Sequence, residues 1–244
     1  MPRFKIIALA AIVGGGFVPF VPAAAAASVP TCYGQPATIV GTSGADRLVG
    51  QSGIADVIVG GGGNDIIIGG DFYEEDAVPG TAPDLLCGGT GNDNAKGGPG
   101  NDKINGGDGD DEVNGERGAD VVRGAAGADR VIDESFADMD SKNDVLRGGP
   151  GADYVQTAWG TDKAYGEGGN DTIIDTECDV SYLYGGSGAD TFESWSSSFE
   201  GWHTSYCGDT ADVVNGGGDY DTAQVSNLDR VVYVENVFRV LQES

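Results

Sequence analysis

Basic residues and histidine are scarce in this sequence of 244 residues. Its lysines and arginines number 13 against 39 aspartates and glutamates, which gives a formal net charge of −26 at pH 7. A chain this acidic repels polyanions, so we expect neither nucleic acid nor anionic lipid as a partner. The one histidine, His203, cannot build a zinc-protease helix motif or any other metal site that requires two imidazoles.

Sequence signatures of catalysis are absent as well. A serine nucleophile would have to pair with His203, and no nucleophile-elbow sequence surrounds any nearby serine. Acidic pairs are numerous, but a periodic pattern explains their placement, and nothing in the sequence provides a substrate cleft for them. We therefore predict that the protein is not an enzyme and has no catalytic residues.

Long apolar runs are missing except at the N-terminus. There, Arg3 and Lys5 precede an apolar stretch at residues 6–20, and small residues follow as far as Ala27. The stretch is short, glycine and proline interrupt it, and no stop-transfer charges follow, which favours an export signal over a membrane anchor. We predict a signal peptide at residues 1–27, cleaved after Ala27, and a secreted, extracellular protein without membrane insertion. The lack of another long apolar region excludes a pore-forming toxin.

Cysteine is also rare, with four residues in the chain. In an exported protein, four cysteines form up to two disulfide bonds, and the sequence does not decide between the three possible pairings. We expect bonds between Cys32 and Cys87 and between Cys178 and Cys207, which would lie near the two ends of the periodic region.

Glycine and aspartate, in contrast, are abundant and follow a period of nine residues. Residues 88–132 contain five consecutive nonapeptides with glycine at the first and fourth positions, aspartate at the sixth and an apolar residue at the eighth. The pattern continues, with interruptions, over residues 41–224. The chain resumes in frame after them, which is typical of surface loops on a regular scaffold. The interruptions are residues 71–83, 133–143, 175–184 and 194–211.

Calcium coordination explains this combination of residues. Glycine lets the backbone turn sharply with positive φ and expose its carbonyl oxygens, and the aspartate adds a carboxylate. Ca²⁺ takes about six to eight oxygen ligands of these two kinds. The last three residues of each nonapeptide form a short strand whose apolar middle residue faces inward. One buried side chain for every nine ordered residues is too little to fold the chain, so we expect it to be largely disordered without calcium.

The predicted ligands of several Ca²⁺ ions are the sixth-position aspartates and the first and fourth glycines of the central nonapeptides. The aspartates are Asp46, Asp56, Asp65, Asp84, Asp93, Asp102, Asp111, Asp120, Asp129, Asp144, Asp153, Asp162, Asp171, Asp190, Asp212 and Asp221. The glycines are Gly88, Gly91, Gly97, Gly100, Gly106 and Gly109. Asp84, Asp144 and Asp212 end irregular loops, so a purely structural role is the alternative for them. Departures from the glycine pattern weaken the assignments near Asp162 and Asp221.

At these nonapeptides the sequence resembles the repeats-in-toxin (RTX) family, whose members carry haemolysin-type calcium-binding repeats. The resemblance covers most of the chain beyond the predicted signal peptide. It implies an all-β fold, the parallel β-roll or β-solenoid, with each ion between turns about 18 residues apart. Asp93, Asp111 and Asp129 would then line one ladder, and Asp102 and Asp120 the other.

We accordingly divide the chain into four parts. After the signal peptide come an N-terminal cap segment at residues 28–40 and the calcium-binding β-roll, with its loop insertions, at residues 41–224. The apolar run at residues 230–238 predicts a capping strand over the last exposed coil, within residues 225–244.

Two functions fit this architecture. The first is a secreted structural or matrix protein, monomeric, whose repeats bind Ca²⁺ and fold on binding. The second is a calcium-dependent adhesin or carbohydrate-binding module that recognises a cell-surface polysaccharide or protein. The loop at residues 194–211 would serve the second function, because Trp195, Phe199, Trp202 and Tyr206 concentrate aromatic side chains there. Packing of these side chains over the adjacent sheet is the alternative.

Overall fold

The structure is a computed structural model that describes residues 28–70, 82–133, 142–176, 180–194, 212–226 and 230–240. Throughout these ranges the chain consists of β-strands joined by turns and irregular segments. No helix within them is long and apolar enough to cross a membrane. The predicted signal peptide, Cys178, Cys207 and residues 195–211 of the aromatic loop lie outside the described residues.

Two parallel sheets of ten strands each form the body of the molecule, and a two-stranded hairpin accompanies them. The hairpin consists of β1 (Thr31–Cys32) and β2 (Gln35–Pro36). The first sheet contains β3 (Ile39–Val40), β5 (Val57–Gly62), β7 (Leu85–Thr90), β9 (Lys103–Asp108), β11 (Val121–Ala126), β13 (Val145–Pro150), β15 (Lys163–Gly168), β17 (Tyr182–Ser187), β19 (Val213–Gly218) and β21 (Arg230–Val232). The second sheet contains β4 (Arg47–Val49), β6 (Ile66–Ile68), β8 (Asn94–Pro99), β10 (Glu112–Arg117), β12 (Arg130–Ile132), β14 (Tyr154–Thr157), β16 (Thr172–Asp175), β18 (Thr191–Ser194), β20 (Thr222–Ser226) and β22 (Asn236–Val240).

Each strand of the two large sheets pairs with the strand two places along the chain, so two consecutive strands make one coil. Val113 in β10 lies beside Ala95 on one side and Val131 on the other, each 18 residues away. Insertions lengthen this spacing and leave the register intact, since Val122 pairs with Leu146, 24 residues on. The predicted all-β parallel β-roll is therefore confirmed.

The core is a single file of apolar side chains between the two sheets. Away from the ends of the roll, eighth-position residues point inward and are at most 1% exposed, because alternate residues of a strand face opposite sides. These residues are Ile58, Ile67, Leu86, Ala95, Ile104, Val113, Val122, Val131, Leu146, Val155, Ala164, Ile173, Leu183, Phe192, Val214 and Ala223. Ile39 and Leu48 are half-buried at one end of the file, and Val231 and Val234 at the other.

A disulfide bond and a side-chain hydrogen bond attach the β1–β2 hairpin to the first sheet. A disulfide bond joins the buried Cys32 to Cys87 in β7, which confirms the first of the two predicted pairs. The Tyr33 hydroxyl donates a hydrogen bond to the carbonyl oxygen of Ile104 at 3.0 Å. These contacts hold the hairpin against β7 and β9.

The C-terminal region forms two strands where the sequence suggested a single capping strand. β21 extends the first sheet beside β19, and β22 extends the second sheet beside β20. Val232 pairs with Asn215, and Asn236 pairs with Thr222. Three residues, 233–235, therefore separate the paired positions in this last coil, whereas six residues, 216–221, separate them in the preceding coil. The roll thus has one more coil than the nonapeptide pattern indicates, because this short turn carries no glycine pair.

Candidate calcium-binding site

The turns depend on glycine where the backbones of neighbouring coils approach closely. Gly107 has φ +122°, and a Cβ built on it would lie 2.1 Å from the carbonyl oxygen of Gly89 in the previous coil. Glycine allows both the positive φ and the close approach without strain, because it has no Cβ. Glu116, Ala125 and Glu167 occupy the corresponding second position of their nonapeptides and also take positive φ, at 66°, 90° and 76°. The roll therefore imposes a left-handed backbone on these turns even where the sequence does not supply glycine.

The sixth-position aspartates form two ladders along the roll. In the first ladder, the backbone N–H of each aspartate donates to Oδ1 of the aspartate one coil further on, at 2.7–2.9 Å. Its members are Asp46, Asp65, Asp93, Asp111, Asp129, Asp153, Asp171, Asp190 and Asp221. The insertions do not interrupt it, since Asp65 donates to Asp93, 28 residues on, and Asp129 to Asp153, 24 residues on.

The second ladder repeats this hydrogen bond on the other turn of each coil, at 2.5–2.8 Å. Its aspartates are Asp56, Asp84, Asp102, Asp120, Asp144, Asp162 and Asp212. The three aspartates that end irregular loops, Asp84, Asp144 and Asp212, thus occupy regular ladder positions. For Asp84 and Asp144, the predicted role as ligands is compatible with this placement.

Ser181 holds the position between Asp162 and Asp212 in the second ladder. Its N–H donates to Asp212 Oδ1 at 2.8 Å, and its carbonyl accepts from Val213, as the carbonyls of ladder aspartates do in other coils. The Ser181 hydroxyl oxygen is buried and has no hydrogen-bond partner among the described residues. Asp212 differs further, because its Oδ2 accepts a hydrogen bond from the Ser194 hydroxyl. The second ladder therefore lacks one carboxylate in a coil that the nonapeptide pattern did not resolve.

The other carboxylate oxygen of a ladder aspartate, Oδ2, lies beside the first glycine of the same nonapeptide. A Cβ built on Gly106 would lie 2.3 Å from Asp111 Oδ2 and 2.7 Å from the carbonyl oxygen of Gly124 in the next coil. A carboxylate and a glycine carbonyl thus converge on one small space. Buried Oδ2 atoms without a hydrogen-bond partner, among the described residues, belong to Asp65, Asp93, Asp102, Asp111, Asp129, Asp153, Asp171, Asp190 and Asp221. A buried anionic oxygen without a donor is costly unless a cation ligates it, so these positions fit a metal ion.

The six predicted glycine ligands present their carbonyl oxygens to a neighbouring coil. They are Gly88, Gly97 and Gly106 at the first position and Gly91, Gly100 and Gly109 at the fourth. The first-position oxygens lie 2.3–2.5 Å from a Cβ built on the first glycine of the preceding coil. The fourth-position oxygens lie 1.4–2.2 Å from a Cβ built on the fourth glycine of the following coil. Together with Oδ2 they provide the oxygen donors that Ca²⁺ prefers, and their role as ligands stays a prediction.

At the N-terminal end of each ladder, Oδ2 already has a donor from the chain. Asp46 Oδ2 accepts from the backbone N–H of Thr42 at 2.6 Å, and Asp56 Oδ2 accepts from that of Gln51 at 2.7 Å. These two predicted ligands therefore fit a cation less well than the aspartates of the interior coils.

Burial and neighbouring carboxylates raise the pKa of interior ladder aspartates. Desolvation is the larger cause, and it outweighs the backbone N–H that each carboxylate accepts from the previous coil. The pKa is about 7 for Asp102, Asp111 and Asp171 and about 6 for Asp84, Asp129 and Asp190. The ionised ladders are thus unfavourable in the folded chain by themselves, and a bound cation would relieve this cost.

Asp133 lies beside the second ladder, although it is not a sixth-position aspartate. Asp133, Asp144 and Asp162 are all buried and offer carboxylate oxygens within 4.8 Å of one another. Burial first, and the Asp133 carboxylate second, raise the pKa of Asp144 well above its ordinary value. Asp133 follows Ile132 directly, where the nine-residue frame would place a first glycine. Its in-frame position was the sequence signal that could have identified it.

Comparison with known proteins agrees with this geometry. The family model of the RTX calcium-binding nonapeptide repeat, which spans four copies of the repeat, matches residues 40–72, 88–122, 106–132, 140–173 and 181–196. A search of curated proteins and a search of solved structures gave no match. The matched segments make up just over half of the chain and contain most of both ladders. The chain therefore belongs to the family of RTX calcium-binding nonapeptide repeat proteins and binds calcium ions.

Proposed function

We propose that the protein is a secreted, monomeric structural protein of the cell exterior, whose two ladders bind several Ca²⁺ ions and which folds on binding them. The observation that carries the proposal is the row of buried Oδ2 atoms that find no donor in the described part of the chain. In the coils around Gly88, Gly106 and Gly166, each lies beside a carbonyl oxygen of the next coil. Carboxylates in such a row repel one another and lose hydration unless a cation ligates them. Catalysis has no part in this proposal.

Groups of the chain itself orient each carboxylate. The Asp93 N–H holds Asp111 Oδ1 at 2.7 Å, which leaves Oδ2 beside Gly106 and the Gly124 carbonyl. When bound, Ca²⁺ supplies the positive charge that balances these oxygens. Since the oxygens around each space come from two consecutive coils, order in one coil favours order in the next. Folding is therefore expected to be cooperative along the roll.

A calcium titration of the secreted protein tests the proposal. The full chain is expressed in a secreting host, purified from the medium, and titrated by calorimetry and circular dichroism. We expect several ions per chain and a β-sheet signal that appears with calcium and disappears with a chelator. Magnesium is the control, because it requires a smaller octahedral shell and is expected to induce far less structure.

Two results would contradict parts of this proposal. A β-rich spectrum that is the same with calcium and with chelator would refute calcium-coupled folding. A purified protein whose N-terminus is not Ser28 would refute the predicted cleavage after Ala27.

A second candidate function has one sequence feature in its favour, the aromatic side chains concentrated at residues 194–211. An adhesin that uses them is expected to lose binding to cells or polysaccharide, with folding intact, when Trp195 and Trp202 are replaced by alanine. Undiminished binding by a folded double variant would leave the structural role as the function.

A further inference from the structure

The first ladder does not end at its last aspartate. The backbone N–H of Asp221 donates to Glu235 Oε2 at 2.7 Å, just as the N–H of Asp190 donates to Asp221 Oδ1 at 2.9 Å. Glu235 also stands directly before β22, as Asp221 stands directly before β20, and these two strands pair in register. Its carboxylate therefore occupies the place of the next ladder aspartate.

The remaining oxygens at this place repeat the arrangement of the interior coils. Asp221 is fully buried, and its Oδ2 has no hydrogen-bond partner among the described residues. A Cβ built on Gly216 would lie 2.2 Å from Asp221 Oδ2 and 2.2 Å from the carbonyl oxygen of Tyr233. In the preceding coil, a Cβ built on Gly185 would lie 2.1 Å from Asp190 Oδ2, and the Gly216 carbonyl takes the place of that of Tyr233.

A short turn brings these oxygens together. Tyr233 has φ +53°, a left-handed conformation that turns the chain sharply into residues 234–235 and β22. The turn lacks the glycine pair and the sixth-position aspartate of the nonapeptide. The glutamate side chain is one methylene longer than that of aspartate, and it reaches the ladder from this shorter turn.

We propose that Glu235 is a calcium ligand, which closes a terminal Ca²⁺ site together with Asp221 and the Tyr233 carbonyl. The proposal rests on the proposed function, because it extends calcium binding by the first ladder to a coil without a nonapeptide. Two of the three ligand groups belong to the C-terminal coil at residues 230–240, so the bound ion also links this coil to the preceding one. Calcium therefore fastens this coil onto the roll, and the coil covers the otherwise open end of both sheets.

The test compares Glu235→Gln with Glu193→Gln, which removes the same charge from the outer face of β18. Ions per chain are counted by native mass spectrometry, and amide hydrogen exchange is measured in calcium. Glu235→Gln is expected to bind one ion fewer than the wild-type protein, and Glu193→Gln the same number. At free calcium ten times the dissociation constant of the site, loss of the ion is expected to speed exchange in residues 230–240 about tenfold.

Glu235 is exposed, so the glutamine variant is expected to fold, and circular dichroism checks this. Equal ion counts and equal exchange in the two variants would overturn the role of Glu235 while leaving the proposed function intact. Absence of calcium binding by the wild-type protein would instead refute the proposed function, and this inference with it. Loss of the ion without faster exchange at residues 230–240 would overturn the fastening of the coil.

Discussion

At the scale of single residues, the two carboxylate oxygens of a ladder aspartate have different tasks. Asp111 Oδ1 accepts the N–H of Asp93 and fixes the spacing of the coils, whereas its Oδ2 is left for a cation. Its neighbour Asp110 is exposed, and its Oδ1 accepts the N–H of Ala128 at 2.9 Å. Adjacent acids in one turn thus differ in their surroundings, because only one of them is buried beside a glycine carbonyl.

Asp111→Asn and Asp110→Asn separate these tasks, because each removes one charge and keeps an oxygen acceptor. We expect Asp111→Asn to bind about one ion fewer and to need more calcium to fold, since a neutral amide is a weaker ligand than a carboxylate. Asp110→Asn should bind as many ions as the wild-type protein and fold at the same calcium concentration, because Asn92 already fills the equivalent position one coil earlier. Calorimetric titration of both variants measures this. Equal loss in the two would show that net charge matters and ladder position does not.

Ser181→Asp tests the gap in the second ladder. The new carboxylate would stand between Asp162 and Asp212, so we expect about one additional ion per chain in calcium. Ser187→Asp, at the exposed end of β17, adds the same charge outside the ladders and serves as the control. Native mass spectrometry gives the ion counts. The gap would be without consequence if both variants bound as many ions as the wild-type protein.

At the scale of secondary structure elements, in-register pairing repeats side-chain contacts along the outer faces as well as in the core. On the first sheet, the Arg147 guanidinium lies 4.3 Å from the centre of the Tyr165 ring, which in turn stacks on Tyr184 at 4.9 Å. Arg147 also forms an ion pair with Glu167. Such cross-strand contacts favour the register on either side of the insertions and supplement the narrow core.

The β1–β2 hairpin supplies a test at this scale. The bond between Cys32 and Cys87 closes a loop of 55 residues in sequence, and removing it is expected to cost about 4 kcal/mol by the loop-entropy relation. We therefore expect the double serine variant to unfold at a lower temperature in saturating calcium, measured by circular dichroism. Tyr33→Phe, which removes only the hydrogen bond to Ile104, is expected to cost about 1 kcal/mol. A double variant as stable as Tyr33→Phe would show that the disulfide bond is dispensable.

At the scale of the whole molecule, the acidic ladders are expected to make the stability of the fold depend on both calcium and pH. Burial raises the pKa of Asp102, Asp111 and Asp171 from 3.8 to about 7, so the folded chain without metal holds more protons than the unfolded chain between these values. The stability that this uptake provides is present below about pH 4 and is lost as the pH rises through about 7. Calcium must displace these protons, so its affinity should fall as the pH falls below 7.

Calorimetry measures this competition directly. At pH 6, titrations in two buffers with different ionisation enthalpies are expected to give different apparent heats, because calcium binding to chains that are folded in chelator at this pH releases protons into the buffer. At pH 8 the apparent heats in the two buffers should be equal. In chelator, the β-sheet signal is expected to rise as the pH is lowered from 8 to 5. If the chain shows a β-sheet signal in chelator at pH 6, buffer-independent heats at that pH would contradict the raised pKa of the ladder aspartates.

The sequence by itself determined the repeat, the calcium chemistry and the parallel roll. A strict nine-residue period places each aspartate and each inward apolar side chain, such as Asp111 and Val113, without knowledge of distant contacts. The tertiary structure alone decided which residues take ladder positions where the pattern breaks. Ser181 and Glu235 take ladder positions because strand register aligns them with residues 31 and 14 positions away, across an insertion or a shortened turn that hides the period. Register is a property of paired strands, so only the folded coils decide which residue stands beside the next aspartate.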